Sequence, residues 1–178
     1  MTGFFAPGAR EGALRTIGLL LALLSVLLPA LPFGPLAAQP PLPLAVLWAA
    51  YGWAADDNGS WRRPALLALL GLLHDQLAGG PYGLYAALYL ITFLLGRIAA
   101  NLMSSPNILS LWGGFTATTA ATSLLAMALA PVALGRGASA LPFAQAAAIT
   151  VLLFPLVRPL YMRGAPTQRT TSGMRVAR

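Results

Sequence analysis

The feature that most constrains this chain is a succession of long apolar runs with almost no charge inside them. Each run is cut by prolines, glycines or a short polar cluster. The first clear run is Leu14 to Leu31, preceded by Arg10, Glu11 and Arg15. The composition is 58% hydrophobic and 8% charged, where a soluble domain carries about 25% charged residues. The polar surface needed to face water is missing, and the mean hydropathy of +0.74 says the same. This balance excludes a soluble enzyme, a disordered regulator and an ordinary DNA-binding domain. What remains is an all-α integral membrane protein folded as one compact bundle.

A membrane-crossing helix needs about 20 mostly apolar residues, and the breaks divide the chain into six such candidates. After the first run, Pro32, Pro35, Pro40, Pro41 and Pro43 make a stretch that cannot be helical. The second run, Leu42 to Ala55, is short and ends at the turn signal Asp56-Asp57-Asn58-Gly59-Ser60. The third follows Trp61-Arg62-Arg63-Pro64, with Pro64 suited to a first helical turn, and reaches Leu77. Gly79-Gly80-Pro81-Tyr82-Gly83 separates it from a fourth run, Leu84 to Met103. Ser104-Ser105-Pro106-Asn107 precedes the fifth, Ile108 to Leu134, and Gly135-Arg136-Gly137 precedes the sixth, Leu141 to Leu160. The expected organisation is a single domain of six transmembrane helices over residues 1–161 and a flexible basic tail over 162–178.

The arginines test that count. All eleven basic residues are Arg, and the formal charge is +7. With the N-terminus inside, ten of the eleven fall on the inner side and Arg136 alone falls outside, as the positive-inside rule requires. Both termini are therefore expected in the cytoplasm, in a bacterial inner membrane. A cleaved leader is disfavoured, because Ala37 and Ala38 follow Pro35 and Leu36 where small residues are needed. The tail arginines Arg163, Arg169, Arg175 and Arg178 suit anionic lipid headgroups. Without an aromatic platform beside the charge, nucleic acid is not an expected partner.

Little material for catalysis exists. There is no cysteine, one histidine and four acids, so no cofactor and no metal site is expected and the protein reads as a non-enzyme. An aspartyl dyad needs two carboxylates in one site, and a phosphate-transferring enzyme needs acids clustered around a divalent cation. Asp75 is the residue of most interest, beside His74 near the end of the third run. A charge in the apolar zone needs a partner, a cavity or hydration. Capping of the Gly79–Gly83 turn, pairing within the bundle and a ligand or proton-relay role all remain open for it. Gly71, one turn earlier, leaves room for close approach of another helix. Asp56 and Asp57 stand opposite Arg62 and Arg63 across a short loop, which reads as a solvated ion-pair cluster. Arg97 and Asn101 lie one turn apart in the fourth run.

The fifth run mixes Thr116, Thr118, Thr119, Thr122 and Ser123 with Gly113, Gly114, Ala117, Ala120 and Ala121. Small residues allow close packing and hydroxyls can bond across a helix interface. Either an internal packed helix or a docking surface satisfies that pattern, and Gly114, Ala117, Thr118, Ala121 and Thr122 are the candidate partner interface.

The block Trp61-Arg62-Arg63-Pro64, Gly71-Leu72-Leu73-His74-Asp75 and Gly79-Gly80-Pro81-Tyr82-Gly83-Leu84 resembles the MreD family of rod shape-determining proteins. Arg63, Pro64, Gly71, Leu72, Asp75, Gly79, Gly83 and Leu84 match that family's pattern. The chain departs from it at Tyr85, where the family carries a histidine. The resemblance implies a six-helix fold similar to the substrate-binding subunits of energy-coupling-factor transporters. It also implies a non-catalytic component of the bacterial elongation machinery, with MreC, the peptidoglycan glycosyltransferase and transpeptidase, and the MreB filament as partners. The alternative expectation is a vitamin-binding subunit of an energy-coupling-factor transporter, using polar groups around His74 and Asp75.

Overall fold

A computed structural model describes residues 7–28, 44–56, 60–79, 81–103, 107–134 and 140–162. Those residues form six helices: α1 (Pro7–Leu27), α2 (Ala45–Ala55), α3 (Arg62–Ala78), α4 (Leu84–Leu102), α5 (Ile108–Leu134) and α6 (Ala140–Tyr161). The described breaks fall where proline, glycine or a polar cluster was read. Two ends are set by local chemistry. Gly79 closes α3 with φ +64° and Gly83 opens α4 with φ +91°, and both angles suit glycine because it lacks a Cβ. At the start of α5, the Ser110 amide donates to Asn107 Oδ1 at 2.7 Å and the Asn107 amide to Ser110 Oγ at 3.1 Å. This reciprocal pair covers helix-end donors that would otherwise be bare.

The helix α2 is the core. Of its eleven residues only Trp53 and Ala55 are not fully buried, and α1, α4 and α6 pack around it. Eleven residues rise about 16 Å, well short of the roughly 30 Å hydrocarbon layer. The second run is thus a helix buried all round and not a lipid-facing span. Below its midpoint, Tyr51 meets Phe115 of α5 and Phe154 of α6 edge-on at 5.3 and 5.7 Å, and the two phenylalanines stack at 4.1 Å. The Tyr51 hydroxyl donates to the Leu111 carbonyl at 3.1 Å, so the buried phenol is satisfied.

Outside, the pattern inverts. Leu90, Leu94, Ile98 and Leu102 form an exposed stripe along α4, and Leu66, Leu69 and Leu72 another on α3. Three helices, Leu84–Leu102, Ile108–Leu129 and Phe143–Tyr161, are long and apolar enough to cross a bilayer. An apolar exterior on such helices belongs in lipid, and the protein is a multi-pass membrane protein. The apolar part of α1, Thr16–Leu27, is shorter.

Prolines inside α6 create a need that the fold meets. Pro155 has no amide for the Val151 carbonyl, and the Trp112 indole of α5 donates to that oxygen at 2.9 Å. One residue earlier, the Trp48 indole of α2 donates to the Thr150 carbonyl at 2.8 Å. Two tryptophans therefore bind the break in α6 to both neighbours.

Candidate functional site

The hairpin of α3 and α4 gathers the residues that sequence reading singled out, and its geometry starts at Gly71. A Cβ there would overlap the Ala86 backbone, so the missing side chain lets the two helices touch main chain to main chain. One turn later Asp75, 1% exposed, points at the start of α4. Its Oδ2 accepts the Gly83 amide at 2.8 Å and its Oδ1 accepts the Tyr85 amide at 2.9 Å. A carboxylate at a helix N-terminus meets bare amides and the positive end of the helix dipole. Asp75 therefore takes the turn-capping role. With each oxygen held by an amide, the carboxylate is bound into the backbone of the turn.

Beside it, His74 stacks on Tyr85 with ring centroids 3.8 Å apart and an interplanar angle of 3°. Its Nδ1 lies 2.5 Å from the Tyr89 hydroxyl. Both tyrosines lie on the first two turns of α4, which Asp75 holds in place. Tyr85 is the position where the chain departs from the MreD pattern, and here it supplies the ring against His74. Sequence reading gave neither tyrosine a role, because nothing in a linear pattern says that residues ten or more apart will stack. The spacing Tyr85 to Tyr89, one helical turn, was the available signal.

At the opposite end of α3, Arg63 reaches back over the end of α2. Its guanidinium donates to the Trp53 carbonyl at 2.9 Å, to the Asp56 carbonyl, and to Asp56 Oδ2 at 3.1 Å. Carbonyls at a helix C-terminus are short of donors and carry the negative dipole end, so this is a C-terminal clamp as well as an ion pair. Arg62 is exposed, and Asp57 lies outside the described residues. Pro64 sits in the first turn of α3 as expected. Gly79 and Gly83 provide the two left-handed residues that bracket the turn.

The five candidate interface residues on α5 do not share one face, which corrects the sequence expectation. Thr118 and Thr122 are buried, and Thr122 bonds Thr92 of α4 at 3.0 Å. A Cβ on Gly114 would collide with Met103 and the Tyr51 hydroxyl, so that glycine serves internal packing. Ala117 and Ala121 are exposed, together with Gly113, Thr116 and Ala120. The inward stripe follows Leu111, Phe115, Thr118, Thr119 and Thr122, the helical repeat that a face-to-face reading of the threonines did not separate. Thr116 was read with Thr119 as one face. It lies outside instead, its hydroxyl bonded to the Trp112 carbonyl at 2.8 Å.

Comparison with known proteins yields no relative: no protein-family model matches the chain, and no curated protein or solved structure is similar to it.

Proposed function

We propose that this protein is a non-catalytic adaptor of the bacterial elongation machinery, in the manner of the MreD family, that docks the transmembrane helix of MreC. The supporting observation is the outer face of α5. There Gly113, Ala117, Ala120 and Ala121 stand exposed side by side, whereas the outer faces of α3 and α4 carry large aliphatic residues. Between helices in lipid the gain comes from close backbone approach, which small residues at four-residue spacing permit. Gly113, Ala117 and Ala121 have that spacing. In this reading the protein sits in the inner membrane with both termini cytoplasmic. The bundle resembles an energy-coupling-factor substrate-binding subunit, and the glycosyltransferase, the transpeptidase and MreB are reached through MreC or directly.

The α3–α4 hairpin then serves as the rigid part of the adaptor. The vitamin-binding alternative drew its polar groups from Asp75 and His74, and the amides and tyrosines already engage those groups. The test is co-purification of MreC with the full chain carrying Ala117→Leu and Ala121→Leu, with Leu94→Ala on α4 as the control. Bulky residues on α5 are expected to reduce MreC recovery at least about tenfold, equivalent to about 1.4 kcal/mol. The control should leave it unchanged. Undiminished recovery with both α5 substitutions would remove the proposed face.

A further inference from the structure

The central helix α2 stops at half the height of the bundle. Its Gly52 lies against Tyr161 at the end of α6, while the amide of Leu44, at its start, donates to Thr150 Oγ1 at 3.0 Å. Thr150 lies about 16 Å back along α6 from Tyr161, so α2 fills only the half of the bundle nearest the Arg63 clamp. In the other half the inward faces lose their cover. Thr122 is the last buried residue on α5 and Ala146 the first on α6 among the described residues. Beyond them Leu125, Ala126, Leu129, Phe143 and Ile149 are half-buried. Together they form apolar walls above a common floor.

The floor is lined with hydroxyls. Thr119 and Thr150 each lie one turn beyond the stacked Phe115–Phe154 pair and so share a level. Thr150 is satisfied, donating to the Ala146 carbonyl at 2.6 Å while accepting from Leu44. Thr92 and Thr122 are bonded to each other. Thr119 Oγ1 is different: it is buried, in a residue 1% exposed, and has no hydrogen-bond partner. A buried hydroxyl is normally paired with protein or with a bound molecule. No side chain caps the start of α2 at this level either, which leaves the positive end of its dipole facing the floor.

We propose that the half-bundle beyond α2 is a binding cleft for a small uncharged molecule. Its hydroxyl or carbonyl oxygen would meet Thr119 and the start of α2, and its apolar part would meet the walls of α5 and α6. No charged residue lies on the floor or on these walls, so no counter-charge is present to receive an ion. This cleft is separate from the outer face of α5 and does not depend on the adaptor reading.

The absence of native cysteine makes a clean experiment possible on the full chain in nanodiscs. Thr119→Cys and Phe115→Cys are each reacted with the neutral reagent methyl methanethiosulfonate, with and without benzyl alcohol, whose ring and hydroxyl mimic the proposed class. Thr119→Cys is expected to react at least about tenfold faster than Phe115→Cys, which opens only with the core. Benzyl alcohol should slow Thr119→Cys and leave Leu94→Cys, on the lipid face, unchanged. Equal reactivity at residues 119 and 115 would overturn the proposal, as would slowing of Leu94→Cys to the same extent. Should Thr119→Cys fail to fold, Ala126→Cys on the wall is read against Phe115→Cys with the same outcomes.

Discussion

The behaviour of Asp75 turns on what its two oxygens touch. Both accept backbone amides of the α4 start, so Asp75→Ala should leave two buried donors bare and lower stability by about 2–3 kcal/mol. Asp75→Asn keeps one acceptor oxygen in place and loses the charge, and should cost about half as much. Thermal unfolding in a fixed detergent measures both, and equal stability of all three proteins would contradict the capping role. Gly79 and Gly83 present a different physics. Nothing lies near the position of an added Cβ at either residue, so Gly79→Ala and Gly83→Ala report backbone conformation alone. Each should cost about 1–2 kcal/mol, the penalty of a left-handed angle for a residue with a side chain.

Between helices, the decisive contacts are those that a substitution cannot relax. At Gly71 an added methyl meets backbone, not a movable side chain. Gly71→Ala should therefore push α3 and α4 apart and cost about 1–3 kcal/mol, more than the same change at Gly113, which faces open space. The tryptophan bond to α6 allows a sharper test. Trp112→Phe removes the donor to the Val151 carbonyl and should destabilise by about 1–3 kcal/mol. Pro155→Ala restores an amide to that same carbonyl. The pair should thus be non-additive, with Trp112→Phe costing about 1 kcal/mol less in the Pro155→Ala background. Additive costs would show that the indole does not serve the proline break.

For the molecule as a whole, the ends of α3 give the clearest marker of orientation. Trp61 and Tyr82 are each 75% exposed, at either end of a helix rising about 25 Å, as aromatic residues at two membrane interfaces would be. In the proposed topology, Tyr82→Cys should react with an impermeant maleimide in intact cells. Ser60→Cys should react only after permeabilisation. The reverse result would invert the bundle and place the Arg63 clamp outside.

Composition, proline and glycine positions and arginine spacing already decide that the chain is helical, multi-pass and broken where it is. Those properties follow from local backbone chemistry and from transfer into lipid, which depend on residue type alone. Asp75, Gly71 and the flanking glycines also stand out in the linear chain, because charge and missing side chains inside an apolar run demand a reason. Which reason applies is tertiary. Only packing brings Asp75 against amides eight and ten residues away, stacks His74 on Tyr85, and sends Trp112 to a carbonyl thirty-nine residues distant. Packing also divides the small and hydroxylated residues of α5 between an inward and an outward face, and encloses α2 on all sides. Apolar runs read alike whether lipid or protein covers them, since both are equally apolar, so burial inside a membrane bundle is settled by the neighbouring helices.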